Sequence, residues 1–339
     1  MQRKKFGMII LLIILLVVII YFLHPKSRLV VKNLNADQII QIDNTIYIKD
    51  EDDNILKYFI PPVQAKDIKT VKFELIDKSE FSKTVSEYYE ELINSNQGIL
   101  SYELDTDYNL IQLNDLSVKK TVLKKTLGIV LTTEGSVYVW GNNDYGQLGI
   151  GSTEPNKDLI QIQCAEVFID VTLCAQTAIA VDLDGNVWVW GDNSGGTCGI
   201  NDISTVLTPT KLALPEKIKS VCSGQFHAFA LSDTGNVYSW GETIEVLGVE
   251  RDWEHTKNTP LKINNFSNVK KILTSGITAV AVDDLGNVFL WGRNYDRGIH
   301  YSYNYEPVKI YYSNGIKDIA ITDAGVAVIE NDGVLKFIR

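Results

Sequence analysis

The chain has 339 residues, of which 45% are hydrophobic and 22% charged, a composition that excludes a disordered chain and suits a large folded core. Its formal net charge is −10, which argues against a general nucleic-acid-binding protein, so we expect no nucleic-acid partner. The four cysteines form no CxxC pair, which argues against a zinc finger and a dense disulfide framework. We expect them to be small buried side chains, and one disulfide is the alternative.

The N-terminal segment begins with a basic tip at residues 1–5 and continues with an uncharged apolar run of 18 residues from Phe6 to Leu23. A helix of that length spans about 27 Å, close to the roughly 30 Å of a bilayer core. The run is longer than the apolar part of a signal peptide, and no small-residue cleavage site follows it. We therefore predict a transmembrane anchor over 6–23 and a short linker over 24–27. A cleaved leader and a secreted protein are the alternative.

The charges beside this run predict its orientation. Arg3, Lys4 and Lys5 precede it, and the positive-inside rule places such a cluster in the cytoplasm. Lys26 and Arg28 follow the run, and they weaken this predicted orientation without reversing it. We expect a single-pass protein of the cell membrane with its N-terminus in the cytoplasm and the rest of the chain outside.

A repeat with a period of about 50 residues organises the remainder of the chain. The phrases "TTEGSVYVWG", "DLDGNVWVWG", "SDTGNVYSWG" and "DDLGNVFLWG" share a turn, a strand and a terminal Trp-Gly. An apolar-x-x-apolar step and a short apolar strand precede each phrase, and a Pro-x-Lys-apolar segment follows most of them. The Trp-Gly pairs are Trp140-Gly141, Trp190-Gly191, Trp240-Gly241 and Trp291-Gly292.

Four strands per unit at this period predict an all-β fold, a seven-bladed β-propeller of about 50-residue repeats. The propeller covers 28–339, with strong repeats over 118–310, degenerate blades over 34–117 and a last degenerate blade over 316–339. Apolar spacing at i, i+4, i+7, i+8 and i+11 predicts one helical insertion near 79–95. The last unit has no fourth strand, so we predict that a strand over 28–33 closes the last blade, with Val31 opposite 308–312 or 335–338.

These repeats resemble the regulator of chromosome condensation repeat family. "GQFHAFALSDTGNVYSWG" from Gly224 to Gly241 matches the family pattern, and "WGNNDYGQLGIG" carries the complete loop after Trp-Gly. The resemblance is specific over 118–339 and implies a seven-bladed propeller. We expect the propeller to be a monomer. Founding members of the family exchange guanine nucleotide on a nuclear GTPase, whereas other relatives act purely by binding proteins.

The phrase "DLDGNVWVWGDN" also resembles the start of a calcium loop, but the spacing excludes that site. A calcium loop beginning at Asp182 needs a glutamate at its twelfth position, which is Asn193 here. The Asp-x-Asp-Gly-Asn segment is therefore interpreted as a hairpin turn. No metal site, cofactor or catalytic residue is predicted, because serine-hydrolase, P-loop and zinc-protease motifs are missing from the sequence.

Binding residues are expected in the loops that differ between repeats. "ERDWEHTKN" holds a tryptophan outside the repeat phrase, and "GIHYSYNYEP" has tyrosines at alternate positions, which share one face of a strand. The candidate partner-binding residues are Arg251, Trp253, His255, Tyr301, Tyr303 and Tyr305. Packing between blades is the alternative role for these side chains.

The sequence thus predicts a non-enzymatic platform that binds an unknown protein partner through propeller-face loops, outside the cytoplasm and at the membrane surface. A carbohydrate-binding or hydrolytic propeller is one alternative. Guanine-nucleotide exchange is a second, which the predicted membrane topology disfavours.

Overall fold

A computed structural model of the chain describes residues 29–31, 36–42, 45–50, 55–59, 74–76, 102–104, 111–113, 116–124, 127–201, 203–249, 259–294, 302–313, 315–322 and 325–338. The predicted anchor over 6–23 and the predicted helix near 79–95 lie outside these residues. Within the described part of the chain, no helix has the length and apolarity needed to cross a membrane.

The strands of the N-terminal part are short and separated by residues outside the described ranges. They are β1 (Leu29–Val31), β2 (Ala36–Ile42), β3 (Thr45–Asp50), β4 (Ile55–Phe59), β5 (Glu74–Ile76), β6 (Tyr102–Leu104) and β7 (Ile111–Leu113).

From residue 116 onward the strands follow the repeat. They are β8 (Leu116–Lys124), β9 (Leu127–Thr132), β10 (Val137–Gly141), β11 (Asn156–Gln161), β12 (Phe168–Cys174), β13 (Thr177–Asp182), β14 (Val187–Asp192), β15 (Thr205–Leu212), β16 (Ile218–Ser223), β17 (His227–Ser232), β18 (Val237–Gly241), β19 (Leu261–Lys262), β20 (Val269–Ser275), β21 (Thr278–Asp283), β22 (Asn287–Asn294), β23 (Ser302–Tyr312), β24 (Ile316–Thr322), β25 (Gly325–Glu330) and β26 (Leu335–Ile338). A single 3₁₀ turn at Ile244–Val246 is the helical element of the described residues.

Consecutive strands form antiparallel sheets of four: β2–β5, β12–β15, β16–β19 and β20–β23. A six-stranded sheet runs from β6 to β11, and it divides at β8, whose first residues pair with β7 and whose remainder pairs with β9. Counted over the described strands, and with the closing sheet of β24–β26 and β1, the chain forms seven units. The predicted all-β propeller with one sheet per repeat is confirmed.

The first strand of each sheet lies next to the propeller axis. β8, β12, β16, β20 and β24 contact one another in succession, although about 50 residues separate each strand from the next, and β24 also contacts β2 near the other end of the chain. Sheets arranged radially converge only at the centre of a ring, so strands that meet their counterparts in the neighbouring sheets are the innermost ones. The fourth strands β11, β15, β19 and β23 therefore form the outer edges.

The last sheet is completed by the N-terminal strand. β1 pairs antiparallel with β26, with Leu29 opposite Phe337 and Val31 opposite Leu335. β24 and β25 supply the other two strands of this sheet. Residues from both ends of the sequence thus share one blade, an arrangement that joins the first and last units of a ring.

The second strand of each strong repeat is buried along its whole length, because a neighbouring blade covers each face of the sheet. β13 and β17 both have all six residues buried. Their side chains alternate in size instead of polarity, and the small residue lies opposite the repeat tryptophan: Ala178 pairs with Trp190 and Ala228 with Trp240. A cross-strand neighbour without bulk leaves room for the indole, which explains the small residue twelve positions before each tryptophan.

The glycine after each tryptophan is required by backbone geometry. Gly191 has φ = 106°, and a Cβ atom on it would lie 2.1 Å from the carbonyl oxygen of Gln176. The same carbonyl accepts a hydrogen bond of 3.0 Å from the amide of Asp192. The chain can make this close approach only where no side chain intervenes.

The turn at Asp182 is a self-contained hydrogen-bonded unit. The buried carboxylate of Asp182 accepts bonds of 2.8 Å from the Asn186 amide nitrogen, from Asn186 Nδ2 and from Trp188 Nε1. Burial raises the pKa of Asp182, but the hydrogen bonds from Trp188 and Asn186 outweigh it and hold the pKa below its ordinary value. This aspartate shapes a hairpin, as the sequence predicts.

We expect Gly191→Ala to destabilise the protein by about 2 kcal/mol or more relative to Gly151→Ala. Both glycines have positive φ, but a Cβ on Gly151 would meet nothing closer than 3.8 Å, whereas one on Gly191 meets a carbonyl oxygen. The two urea unfolding midpoints measure the difference. Equal midpoints would show that the carbonyl contact is unimportant.

We expect Asp182→Ala to lower the free energy of unfolding by about 1–3 kcal/mol, because it leaves three partly buried donors without an acceptor. Asp184→Ala, at the exposed tip of the same turn, is the matched control and should change it little. A carboxylate with a lowered pKa stabilises the fold above its unfolded-state pKa, and this contribution disappears as the pH falls through the folded-state value. The difference in unfolding free energy between wild type and Asp182→Ala should therefore shrink in acid. Because this turn is not a calcium site, neither calcium nor a chelator should change the melting curves.

Candidate functional site

The loops after Trp-Gly hold neighbouring blades together. Trp190 Nε1 donates a hydrogen bond of 3.0 Å to the carbonyl of Gln147, and Trp240 Nε1 donates one of 2.9 Å to the carbonyl of Thr197. Each acceptor belongs to the loop of the preceding repeat, 43 residues earlier. The glycine in the same loop, Gly149, lies so close to the Trp190 ring that a Cβ would be 2.7 Å from it. The shared loop sequence is therefore committed to packing.

An asparagine organises the interior of the two most complete loops. Asn143 Nδ2 donates to the carbonyls of Ser152 and Glu154, both at 2.9 Å, and its Oδ1 accepts from the Leu148 amide. Asn193 occupies the same position in the next repeat, with equivalent bonds to the carbonyls of Ile200 and Ile203. Both side chains are buried, so neither is available to a ligand.

Four of the six predicted binding residues, namely Arg251, Trp253, His255 and Tyr301, lie outside the described residues. Tyr303 and Tyr305 lie on β23, the outer strand of its sheet, with ring centroids 6.3 Å apart and ring planes inclined by 36°. Tyr303 is half-buried and Tyr305 is 55% exposed. The two tyrosines form an adjoining aromatic pair on an outer edge.

The strand that carries this pair is irregular where the tyrosines stand. Asn304 pairs with Gly292 and Val308 with Leu290, so β23 has four steps where β22 has two. The segment from Tyr305 to Pro307 accordingly bulges, and proline in an outer strand there costs no sheet hydrogen bond. Of the ten large apolar side chains exposed among the described residues, three belong to β23: Tyr305, Val308 and Tyr312. We call β23 the tyrosine edge strand.

The most strongly perturbed carboxylate serves the structure of a turn. Glu216 accepts hydrogen bonds from Thr234, from Tyr238 at 2.6 Å and from Asn236 at 2.9 Å, which together lower its pKa to about 2. Burial and the Glu216 carboxylate raise the pKa of Tyr238 to about 12. A general acid or base needs a pKa near the working pH, and these groups have been moved away from it.

Burial makes two cysteine thiols, those of Cys198 and Cys222, unreactive. Cys174 and Cys198 are buried, and Cys164 and Cys222 are half-buried. Burial raises the pKa of Cys222 to about 12 and raises that of Cys198 as well. Thiols of this kind stay protonated at neutral pH and are poor nucleophiles and poor metal ligands.

Other chemistry is limited in the described part of the chain. No group of three or more His, Cys, Asp or Glu side chains there is arranged to hold a metal ion. A cavity of about 40 Å³ lies between two blades, lined in part by Gln176, Asp192 and Phe226. That volume suits one or two water molecules and not a metabolite. His227 is fully buried, with Nε2 2.8 Å from Thr274 Oγ1, and belongs to the core.

A second surface is formed by bulges in the innermost strands, which the sequence did not reveal. In β16, Ile218 pairs with Ser232 and Ser220 with Leu231, so Lys219 is an extra residue. Every described first strand has a bulge at the same place, and lysine is the extra residue in four of the six strands. The extra residues are Asp37, Lys119, Ile169, Lys219, Lys270 and Lys317.

The lysines that follow two of these bulges are neutralised by the next blade. Lys120 Nζ lies 2.7 Å from Asp170 Oδ1, and Lys271 forms an ion pair with Asp318. By contrast, Lys119 Nζ donates to a neutral carbonyl, that of Ile169, at 2.9 Å. Among the described residues Lys219 and Lys270 form no ion pair. We call Lys119, Lys219, Lys270 and Lys317 the channel-mouth lysines, because they lie where the first strands begin around the axis.

Acidic hairpin tips surround this mouth. The Gly185 carbonyl accepts a hydrogen bond of 2.9 Å from the amide of Ile218, the residue before Lys219, so hairpin tips and strand starts lie on one face of the ring. The hairpins join second to third strands and thus lie farther from the axis than the lysines. Each described tip carries an exposed acidic residue: Glu134, Asp184, Asp233, Asp284 and Asp332. Together they form an acidic rim.

Comparison with known proteins supports the fold. The family described as "Regulator of chromosome condensation (RCC1) repeat" matches residues 134–163 and 184–231. A search of curated proteins finds no match.

Among solved structures, the chain is similar to yeast RCC1 (Prp20) bound to Kap60, at 19% identity and a TM-score of 0.61, over 89% of this chain and 80% of that one. Prp20p of Saccharomyces cerevisiae alone gives 17% identity and a TM-score of 0.61, over 89% and 81%. Human WBSCR16 gives 15% identity and a TM-score of 0.54, over 92% and 72%. Two segments of the chain match RCC1 repeats, and the chain folds as an RCC1-like β-propeller.

Proposed function

We propose that this protein is a protein-interaction platform that binds its partner through the tyrosine edge strand and is displayed outside the cytoplasm at a membrane surface. The exposed pair of Tyr303 and Tyr305 on a bulged outer strand carries the first part of the proposal. Tyrosine contributes strongly to protein interfaces, because it offers a large contact area with few rotatable bonds and a hydroxyl for hydrogen bonding.

The use of the remaining residues supports a binding role over a catalytic one. The tryptophans, loop asparagines and turn aspartate of the repeat are all engaged in packing, and the perturbed groups Glu216 and Tyr238 have pKa values unsuited to proton transfer near neutral pH. Similar folds bind proteins: the yeast relative was crystallised bound to Kap60 and characterised for binding to Gsp1p and histones. Those partners are properties of the yeast protein.

The membrane part of the proposal rests on the sequence. The apolar run from Phe6 to Leu23 follows Arg3, Lys4 and Lys5, a pattern typical of an anchor with a cytoplasmic N-terminus. Only the five residues 24–28 separate this apolar run from β1, which belongs to the last blade. An anchor here would hold the propeller close to the bilayer.

We expect a photo-crosslinking amino acid at position 305 to form a discrete adduct with the partner, whereas the same group at position 145 should not. Tyr145 is a matched control, because it is 44% exposed but lies on a different loop. The double variant Tyr303→Ala/Tyr305→Ala should weaken partner binding at least tenfold with little loss of thermal stability, since Tyr305 is mostly in solvent. A large drop in Tm with unchanged binding would assign the pair to packing and contradict the proposal.

We expect the full chain to resist carbonate extraction from membranes and to be digested by protease added to intact cells. A variant without residues 1–27 should be released in soluble form. Mass spectrometry of the mature N-terminus separates the two topologies: a fragment that retains 6–23 supports the anchor, and a start after Leu23 identifies a cleaved leader and a secreted protein.

A further inference from the structure

The channel mouth concentrates positive charge in a chain whose net charge is −10. Lysine occupies the bulge position of four of the six described first strands, and each bulge is placed at the same level of the ring. A bulge re-aims the side chain of its extra residue out of the regular sheet pattern. Four strands therefore bring cationic side chains toward one axis.

Ion pairs compensate the lysines that follow two of the bulges, whereas Lys219 and Lys270 form no ion pair within the described part of the chain. Asp170 and Asp318 neutralise Lys120 and Lys271, the residues that follow two of the bulges. Lys119, Lys270 and Lys317 are exposed and Lys219 is half-buried, so the bulge lysines are accessible. Convergent like charges raise the local positive potential and attract an anionic group.

The acidic rim limits the shape of that anion. A duplex nucleic acid or an anionic membrane is broad, and it would contact the carboxylates of Glu134, Asp184, Asp233, Asp284 and Asp332 as well as the lysines. A single extended peptide can approach along the axis and pass inside the rim. The sign of the charge at the mouth and the carboxylates around it favour the same ligand.

We propose that the channel mouth binds an acidic peptide segment of a partner protein, whose carboxylates contact Lys119, Lys219, Lys270 and Lys317. This inference rests on the proposed role as an interaction platform, but it uses a surface separate from the tyrosine edge strand. Complementary charge of this kind accelerates association and selects partners, and its effect weakens as salt increases.

The test uses the full chain in a neutral detergent and a fluorescein-labelled decapeptide of alternating Glu and Gly. Binding is measured by the fluorescence anisotropy of the peptide at low ionic strength. We expect saturable binding that weakens at least tenfold in Lys219→Glu/Lys270→Glu and declines with added salt. The matched control is Lys211→Glu/Lys262→Glu, which makes the same change of net charge on the outer strands β15 and β19, away from both proposed surfaces, and should alter the affinity less than twofold. If the first pair unfolds the protein, Lys219→Gln/Lys270→Gln with an unchanged Tm replaces it.

Three outcomes would overturn the inference: no saturable binding of the acidic peptide, equal weakening by both lysine pairs, or tighter lysine-dependent binding of a DNA duplex than of the peptide. The crosslinking at Tyr305 reports on the other surface. If the peptide does not bind but the adduct at position 305 still forms, only the channel-mouth proposal is contradicted. If the peptide binds but the adduct does not form, only the edge-strand proposal is contradicted.

Discussion

In the blades that carry Trp190, Trp240 and Trp291, the indole of the repeat tryptophan fixes the blade to the one before it. The Trp190 ring packs against Gly149, its Nε1 donates to the Gln147 carbonyl, and the small Ala178 lies opposite it across the strand pair. Trp291 makes the corresponding bond to the carbonyl of Val246 at 2.6 Å. One side chain thereby joins three elements, the strand that carries it, the strand beside it and the preceding loop. A sheet of four strands has two apolar faces, and this contact is how the second face is covered.

This constraint separates the residues that build the ring from those that are free to bind. The tryptophans of the phrase and the asparagines of the loops are buried, so substitution there acts on stability. The outermost strands and the starts of the innermost strands are not part of the contact. These are the places where the repeats differ: β23 has eleven residues and a bulged tyrosine pair, whereas β19 in the preceding blade has two residues.

The fold was predictable because its strongest signal is local and periodic. Trp-Gly with its preceding turn reports a hairpin, and a 50-residue spacing reports a repeat of four strands, so the strand order follows with little further information. The site was less predictable, since it depends on register and exposure. Tyr311 and Tyr312 are neighbours on β23, yet Tyr311 is buried and donates to Glu330 at 2.7 Å while Tyr312 is 58% exposed. A bulge shifts such assignments by one residue, and no letter of the sequence marks it.

The channel-mouth lysines illustrate the same limit. "VKKTV", "IKSV" and "VKKI" indicate strands through their apolar ends, and the lysines between them look like ordinary solvated residues. Only the strand pairing reveals that Lys119 is an extra residue in its strand. The next residue, Lys120, is neutralised by Asp170, which lies 50 residues away in the sequence. Net charge conceals the pattern as well, because the carboxylates that dominate the total include a rim at the hairpin tips. The tyrosine edge strand lies on the outer side of the ring, whereas the channel-mouth lysines lie at one end of its axis. A partner that binds both surfaces must therefore extend from the end of the ring to its side. A short peptide binds only the mouth.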